Sequence, residues 1–170
     1  MISRTAERFG WSRYRVAPNR GRGFAFARYK NHGAYLAVAL DVERVPVEDR
    51  LIVHRAVAAV DSGEAVNPDG IRNQVEGGIV QSLSWTAFEA ASHDGARRTA
   101  YDWSTYPILR FGNAPRTVAV EIIDRPGTPF LGTGECAQGP TAAALANALA
   151  MATGSRQRSL PLLPTGADRG

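Results

Sequence analysis

The stretch from Asn67 to Leu83, Asn67-Pro68-Asp-Gly-Ile71-Arg-Asn-Gln74-Val75-Glu-Gly77-Gly78-Ile79-Val-Gln81-Ser-Leu83, constrains the chain most. Asparagine is a favoured N-cap and proline a favoured first helical residue, and Ile71, Val75, Ile79, Leu83 and Phe88 recur at helical spacing. A helix is therefore expected from Pro68 to about Ala91. Gly77 and Gly78 sit inside it, where each costs about 1 kcal/mol relative to alanine in an isolated helix. Two readings account for them. In one, a ligand or another backbone approaches the helix closely, and Gln74 and Gln81, two turns apart on one face, offer amide donors and acceptors to a flat heterocycle. In the other, the glycines serve tight helix-to-sheet packing and the glutamines stand at a solvated edge.

The second informative stretch is Phe130-Leu131-Gly132-Thr-Gly134-Glu135-Cys136, followed by a helix of small residues expected from Pro140 to Ala150 and closed by Gly154. A carboxylate tucked between Leu131, Cys136 and that helix would be partly desolvated, which makes it a better general base. The plainer reading is an exposed loop glutamate. The glycines do not form a dinucleotide fingerprint, because Ala137 stands where the third glycine belongs and no strand runs directly into the turn.

The rest of the chain reads as one α+β unit. Residues 3 to 10 suggest a short helix ending at Gly10, and Pro18 to Gly23 an Arg/Gly loop. Gly23 to Tyr29, Ala34 to Val42 and Leu51 to Val60 read as three strands of an antiparallel meander, with turns at Asn31-His32-Gly33 and at Pro46 to Arg50. His93-Asp94-Gly95 makes a turn, Arg98 to Leu109 reads as extended, and Thr117 to Ile123 as a strand. The tail from Ser159 to Gly170 is expected to be extended and partly loose.

Composition excludes several classes. A chain of 170 residues with 44% hydrophobic residues supports a single cored domain. Cys136 is the only cysteine, so neither an internal disulfide nor a multi-cysteine zinc or iron-sulfur site is possible, and any such cluster belongs to another chain. His32, His54 and His93 have no metal-site spacing. All 20 basic residues but Lys30 are arginine. A cluster at Arg13, Arg15, Arg20, Arg22 and Arg28 reads as a solvated or subunit-contacting face more readily than as a nucleic-acid site. No apolar run reaches the ~18 residues of a membrane span. The expected compartment is the cytoplasm, for want of a signal sequence, or the periplasm if a partner carries the chain.

Seven stretches, in order, resemble one family: Gly21-Arg-Gly-Phe-Ala-Phe26, Gly33-Ala-Tyr-Leu-Ala37, Val53-His-Arg-Ala-Val-Ala-Ala-Val-Asp61, Val66-Asn-Pro-Asp-Gly70, Gln74-Val-Glu-Gly-Gly-Ile-Val-Gln81, Tyr106-Pro-Ile-Leu-Arg110 and Gly132-Thr-Gly-Glu135. Residues 1–170 resemble the C-terminal quarter of the molybdopterin-binding large subunit of the xanthine dehydrogenase and aldehyde oxidase family, in the branch of the isoquinoline 1-oxidoreductase beta-subunit-like aldehyde dehydrogenases. The resemblance implies an α+β segment with antiparallel and mixed sheets, a long central helix and a C-terminal helix. It implies that Glu135 is the catalytic base, that Gln74 contacts the pterin, and that no residue here ligates the metal. The implied activity is hydroxylation of an aldehyde or N-heterocycle with oxygen from water.

The cofactor so implied is a molybdenum cofactor, molybdopterin in its cytosine dinucleotide form, shared with an upstream segment. Implied partners are that upstream part of the large subunit, an iron-sulfur small subunit, and a flavin or cytochrome electron acceptor. Cys136 stands where many family members have proline, which loosens the turn but leaves the carboxylate. The family's upstream glycine-rich loops and the arginine near the metal have no counterpart, so the chain is expected to be a truncated frame or one piece of a split subunit. The competing expectation is an inactive remnant or interaction module that kept the fold.

Overall fold

The computed structural model describes residues 1–163 apart from Pro46 and Asp49. Part of the expected turn at Pro46 to Arg50 and the last residues of the expected tail, 164–170, therefore lie outside the described residues. Among those described, the main elements are α1 (Ile2–Phe9), β1 (Arg20–Arg28), β2 (Tyr35–Val45), β3 (Arg50–Asp61) and α2 (Pro68–Ala87). They are followed by the small hairpin β4 (His93–Asp94) and β5 (Arg97–Arg98), then β6 (Val118–Ile122) and α3 (Gln138–Thr153). The fold is α+β with a mixed sheet, ordered β1-β2-β3-β6. β1 to β3 form the expected antiparallel meander, and β6 joins β3 in parallel after the chain has passed through α2.

Side-chain alternation sorts the sheet into two covered faces. Leu36, Val38, Leu40, Ala56, Ala58 and Val60 point into the main core, where they meet Val75, Ile79 and Leu83 of α2 and Leu145 and Leu149 of α3. Ala39 and Val57 point the other way and pack under Phe9 of α1. Because both faces are buried, β2 shows an almost continuous apolar run where a half-exposed strand would alternate.

β1 corrects the expectation of an Arg/Gly loop at Pro18 to Gly23, since the strand starts at Arg20. Glycine is normally poor in strands, but Gly21 and Gly23 lie where α3 rests directly on the sheet. A Cβ at Gly21 would stand 2.0 Å from the Ala148 carbonyl oxygen, and one at Gly23 1.8 Å from that of Ala144. The intervening Arg20 and Arg22 project to the opposite face and fasten α1 and the segment after it. Arg22 lies 4.1 Å over the Trp11 ring and donates to the Trp11 carbonyl, Arg20 pairs with Asp41 at 2.7 Å, and Arg55 of β3 donates to the Phe9 carbonyl at 2.6 Å. Arg20 and Arg22 of the arginine cluster are thus tied into the fold, while Arg13, Arg15 and Arg28 are exposed. α1 itself ends as expected at Gly10, whose φ of 72° lets its N–H turn back to the last helical carbonyls.

Three boundaries differ from the sequence reading. α2 ends at Ala87 because Ser84 and Glu89 are drawn into a cluster with the following segment: Tyr106 Oη donates to Glu89 at 3.0 Å, and the Leu109 N–H donates to Ser84 Oγ at 2.9 Å. Residues 99–109 do not continue as a strand. Asp102 accepts from Ser104 and Thr105, which folds the chain into a turn and holds the Asp102 carboxyl down at about 2. α3 begins at Gln138, two residues ahead of Pro140; proline is tolerated there because first-turn N–H groups have no intrahelical acceptor. The tail is tied down as far as it is described, with the N–H groups of Leu162 and Leu163 donating to the last-turn carbonyls of Thr86 and Ala87. Among the described residues, no helix is long and apolar enough to cross a membrane.

Gly23→Ala forces backbone apart in the interior, so it is expected to destabilise the fold by about 3 kcal/mol or more, the upper end of overpacking costs. Gly77→Ala, at a site with nothing within 4 Å, is expected to be neutral or to stabilise by up to about 1 kcal/mol. Chemical denaturation of the two variants beside the parent checks this contrast, and equal stabilities would refute it.

Candidate functional site

Two turns meet at one end of the sheet. The segment before Glu135 is pinned on one side to the end of β3, where the Leu131 N–H donates to Ser62 O at 2.7 Å, and on the other to the β1–β2 turn, where the Ala34 N–H donates to Gly132 O at 3.0 Å. Cys136 and Ala137 then enter the core, and α3 starts against α2. Gly78 makes that contact possible, since a Cβ there would lie 3.1 Å from the Ala137 Cβ. Ser82 Oγ donates to Gln138 O at 2.7 Å, Gln138 Nε2 to Gln81 Oε1 at 2.8 Å, and Trp85 Nε1 to Gln138 Oε1 at 2.9 Å.

The two glycines of the pair differ in their surroundings. Gly78 serves close packing, whereas Gly77 is exposed with nothing near it. Gly132, Gly134 and Gly139 are exposed in the same way, and none of the four has the positive φ that would require glycine. The fold itself therefore gives no reason for these four glycines. Gly77 borders a cleft of about 660 Å³ with Gln81, Glu89 and Leu109, and a second cleft, of about 360 Å³, lies between the α2 start and Phe130, Leu131 and Thr133. Both fall in the ~300–1,000 Å³ range of small-molecule sites.

Gln74 is exposed on α2, and its side chain makes no hydrogen bond among the described residues. It projects within about 20° of Gln81 around the helix, the angle left by a seven-residue separation. Gln81 is already engaged with Gln138. Glu135 is also exposed, which corrects the expected partial desolvation: its apolar neighbours Cys136 and Ala137 turn into the core and do not close around the carboxylate. Tyr29 Oη donates to Glu135 Oε2 from the β1–β2 turn. The Lys30 ammonium lies 5.1 Å from the Tyr29 ring centre, and its pKa is raised by Tyr29 first and by the Glu135 charge after it.

Sequence reasoning missed Tyr29, Lys30 and Gln138. Gln138 adjoins the Gly-Glu-Cys turn, and an earlier helix start would have flagged it. Tyr29 lies 106 residues from Glu135 and carries no local signal. Of the histidines, His54 bonds Glu43 at 2.8 Å, while His32 and His93 are exposed at separate places.

Comparison with known proteins matches this geometry to a family. Residues 2–115 match the molybdopterin cofactor-binding domain. A nicotinate dehydrogenase subunit of Pseudomonas putida is 38% identical over 176 residues, covering 95% of this chain and 15% of that protein. The beta subunit of isoquinoline 1-oxidoreductase from Brevundimonas diminuta is 30% identical over 166 residues, covering 96% of this chain and 21% of that one. The crystal structure of quinoline 2-oxidoreductase from Pseudomonas putida 86 shares the fold, with a TM-score of 0.69 and 24% identity over 75% of this chain and 17% of its own. The chain thus spans about a fifth or less of the length of these relatives.

Burial raises the Cys136 thiol from 9.0 to about 11. The folded chain therefore favours the protonated thiol more strongly than the unfolded chain does; this contribution to stability is whole below about pH 9 and is lost as pH rises toward 11. Alkylation at pH 8 is expected to leave folded Cys136 intact and to label it in denaturant. Rapid labelling of the folded chain would contradict its burial.

Proposed function

The chain belongs to the molybdopterin cofactor-binding domain family, in its xanthine dehydrogenase and aldehyde oxidase group, and from that premise we propose that it forms one wall of a molybdenum-cofactor site and carries the base of a hydroxylation reaction. The observation that carries this reading is that the contacts of Gly78 with Ala137 and of Gln81 with Gln138 bring α2, with its exposed Gln74 and Gly77, to the segment that carries exposed Gly134, Glu135 and Gly139. Exposed backbone without side chains admits a flat heterocycle at van der Waals distance, and primary amides match the mixed donors and acceptors of a pterin edge. The residues present thus suit a pterin.

In this reading Gln74 holds the pterin, and Gln81, fixed by Gln138, shapes the wall beside it. Glu135 accepts a proton from the water-derived oxygen that is transferred to an electron-poor carbon of an N-heterocycle or aldehyde. The molybdenum cofactor, taken here in its cytosine dinucleotide form, supplies the two-electron redox chemistry. The remaining wall comes from an upstream part of the large subunit. Electrons leave through an iron-sulfur subunit to a flavin or cytochrome acceptor, in keeping with a single buried cysteine in this chain. Exposed Trp103, Phe111 and Phe130 support a covering partner, since large apolar side chains left in water mark contact surfaces.

Replacing Glu135 with Gln keeps size and removes the basic oxygen. In the assembled enzyme, turnover is expected to fall by ~10² to 10⁴ while molybdenum and pterin content stay unchanged. Near-normal turnover would end the assignment, and would favour a chain that keeps the fold without catalysis.

Gln74→Ala is expected to weaken cofactor retention by about 1 to 3 kcal/mol, the cost of leaving a buried polar ligand group unpaired. Metal and pterin analysis of the purified variant checks it; full occupancy after extensive dialysis would count against a pterin contact.

A further inference from the structure

The turn between β1 and β2 is built in a costly way. Lys30 and Asn31 both have left-handed backbone, with φ of 47° and 60°, a conformation that side chains other than glycine's rarely adopt. The turn is nevertheless closed tightly: the Gly33 N–H donates to Tyr29 O at 2.8 Å and the Tyr29 N–H to Ala34 O at 3.0 Å. The Ala34 N–H then reaches across to Gly132 O at 3.0 Å, and a Cβ on Gly33 would lie 3.3 Å from that same Gly132 oxygen. This strained turn is therefore locked to the Gly132-Thr-Gly-Glu135 turn, three residues before the carboxylate. What it presents there is the Tyr29 hydroxyl, on Glu135 Oε2, with the only lysine of the chain beside the Tyr29 ring.

We propose that Tyr29 is a positioning residue for Glu135: its hydroxyl holds Oε2, which fixes the carboxylate and leaves Oε1 as the oxygen that accepts the proton. This rests on the reading of Glu135 as the base. A carboxylate on a glycine-flanked turn otherwise samples many orientations, since Gly132 and Gly134 offer no side chain for it to pack against. A hydrogen bond to a charged group is the stronger kind and is directional, so one phenol suffices to select an orientation. Lys30, alongside Tyr29, places positive charge on the same side.

The test is Tyr29→Phe, which keeps the ring and its packing and removes only the hydroxyl. In the assembled, cofactor-loaded enzyme, kcat is expected to fall about tenfold with KM and cofactor content unchanged, as for loss of one hydrogen bond to a charged group. In the cofactor-free assembly, ¹³C-labelled glutamate carboxyls report the contact directly: the Glu135 resonance, assigned by its absence in Glu135→Gln, is expected to move in Tyr29→Phe while the others stay. An unmoved Glu135 resonance overturns the proposal, as does a moved resonance with unaltered kcat. Near-normal turnover in Glu135→Gln instead overturns the base assignment, and the resonance shift still reports whether Tyr29 touches the carboxylate.

Discussion

The contact of α3 with β1 through Gly21 and Gly23 is the constraint on which the rest of the structure depends. Helices normally ride on a sheet with side chains between them. Here two strand glycines bring helix carbonyls onto the strand, at distances no Cβ tolerates. That closeness fixes the helix in translation as well as tilt, because interiors packed at crystal density do not slide continuously. The N-terminus of α3 then falls beside α2, where Gly78 admits Ala137 and the Gln81–Gln138–Trp85 hydrogen bonds lock the two helices together. Alanine at 144 and 148 suits the points of closest approach, while Leu145 and Leu149 fill the core beside them.

From that packing comes the position of the candidate site. The Glu135 turn is the last part of the segment, residues 123 to 137, that links β6 to the anchored α3, and both its neighbours are fixed: the end of β3 through Ser62 and the β1–β2 turn through Ala34. The sheet supplies rigidity and the glycine turns supply an open surface. Glu135, Gln74 and Gln81 are all left exposed there, and the chain spans about a fifth or less of the length of the relatives it matches. Apolar Trp103, Phe111 and Phe130 remain exposed.

Much of the fold was legible in the residues. The N-cap at Asn67, the proline after it and the apolar spacing to Leu83 gave α2, and the three-strand meander followed from alternation and turn residues. The misreadings share one cause, which is that a local pattern was overridden by a distant partner. Gly21 read as part of a loop because its strand role depends on α3, more than a hundred residues away. The end of α2 was placed too late because Ser84 and Glu89 answer to Tyr106 and Leu109. Residues 99–109 looked extended, but Asp102 turns the chain.

The site shows the same division. Gln74 and Glu135 were singled out because each breaks a local rule, a glutamine face beside a glycine pair and a carboxylate on a glycine turn, and such breaks are readable one residue at a time. By itself the sequence determined which elements form, the absence of a second cysteine, and the family signature carried in seven ordered stretches. Only the tertiary structure decided that Gly77 stays open while Gly78 packs, that Glu135 stands in solvent, and that Tyr29 reaches it. The physical reason is range: helix and strand patterns are fixed by neighbours three or four residues apart, whereas exposure and hydrogen-bond partners depend on which backbones can approach across the fold.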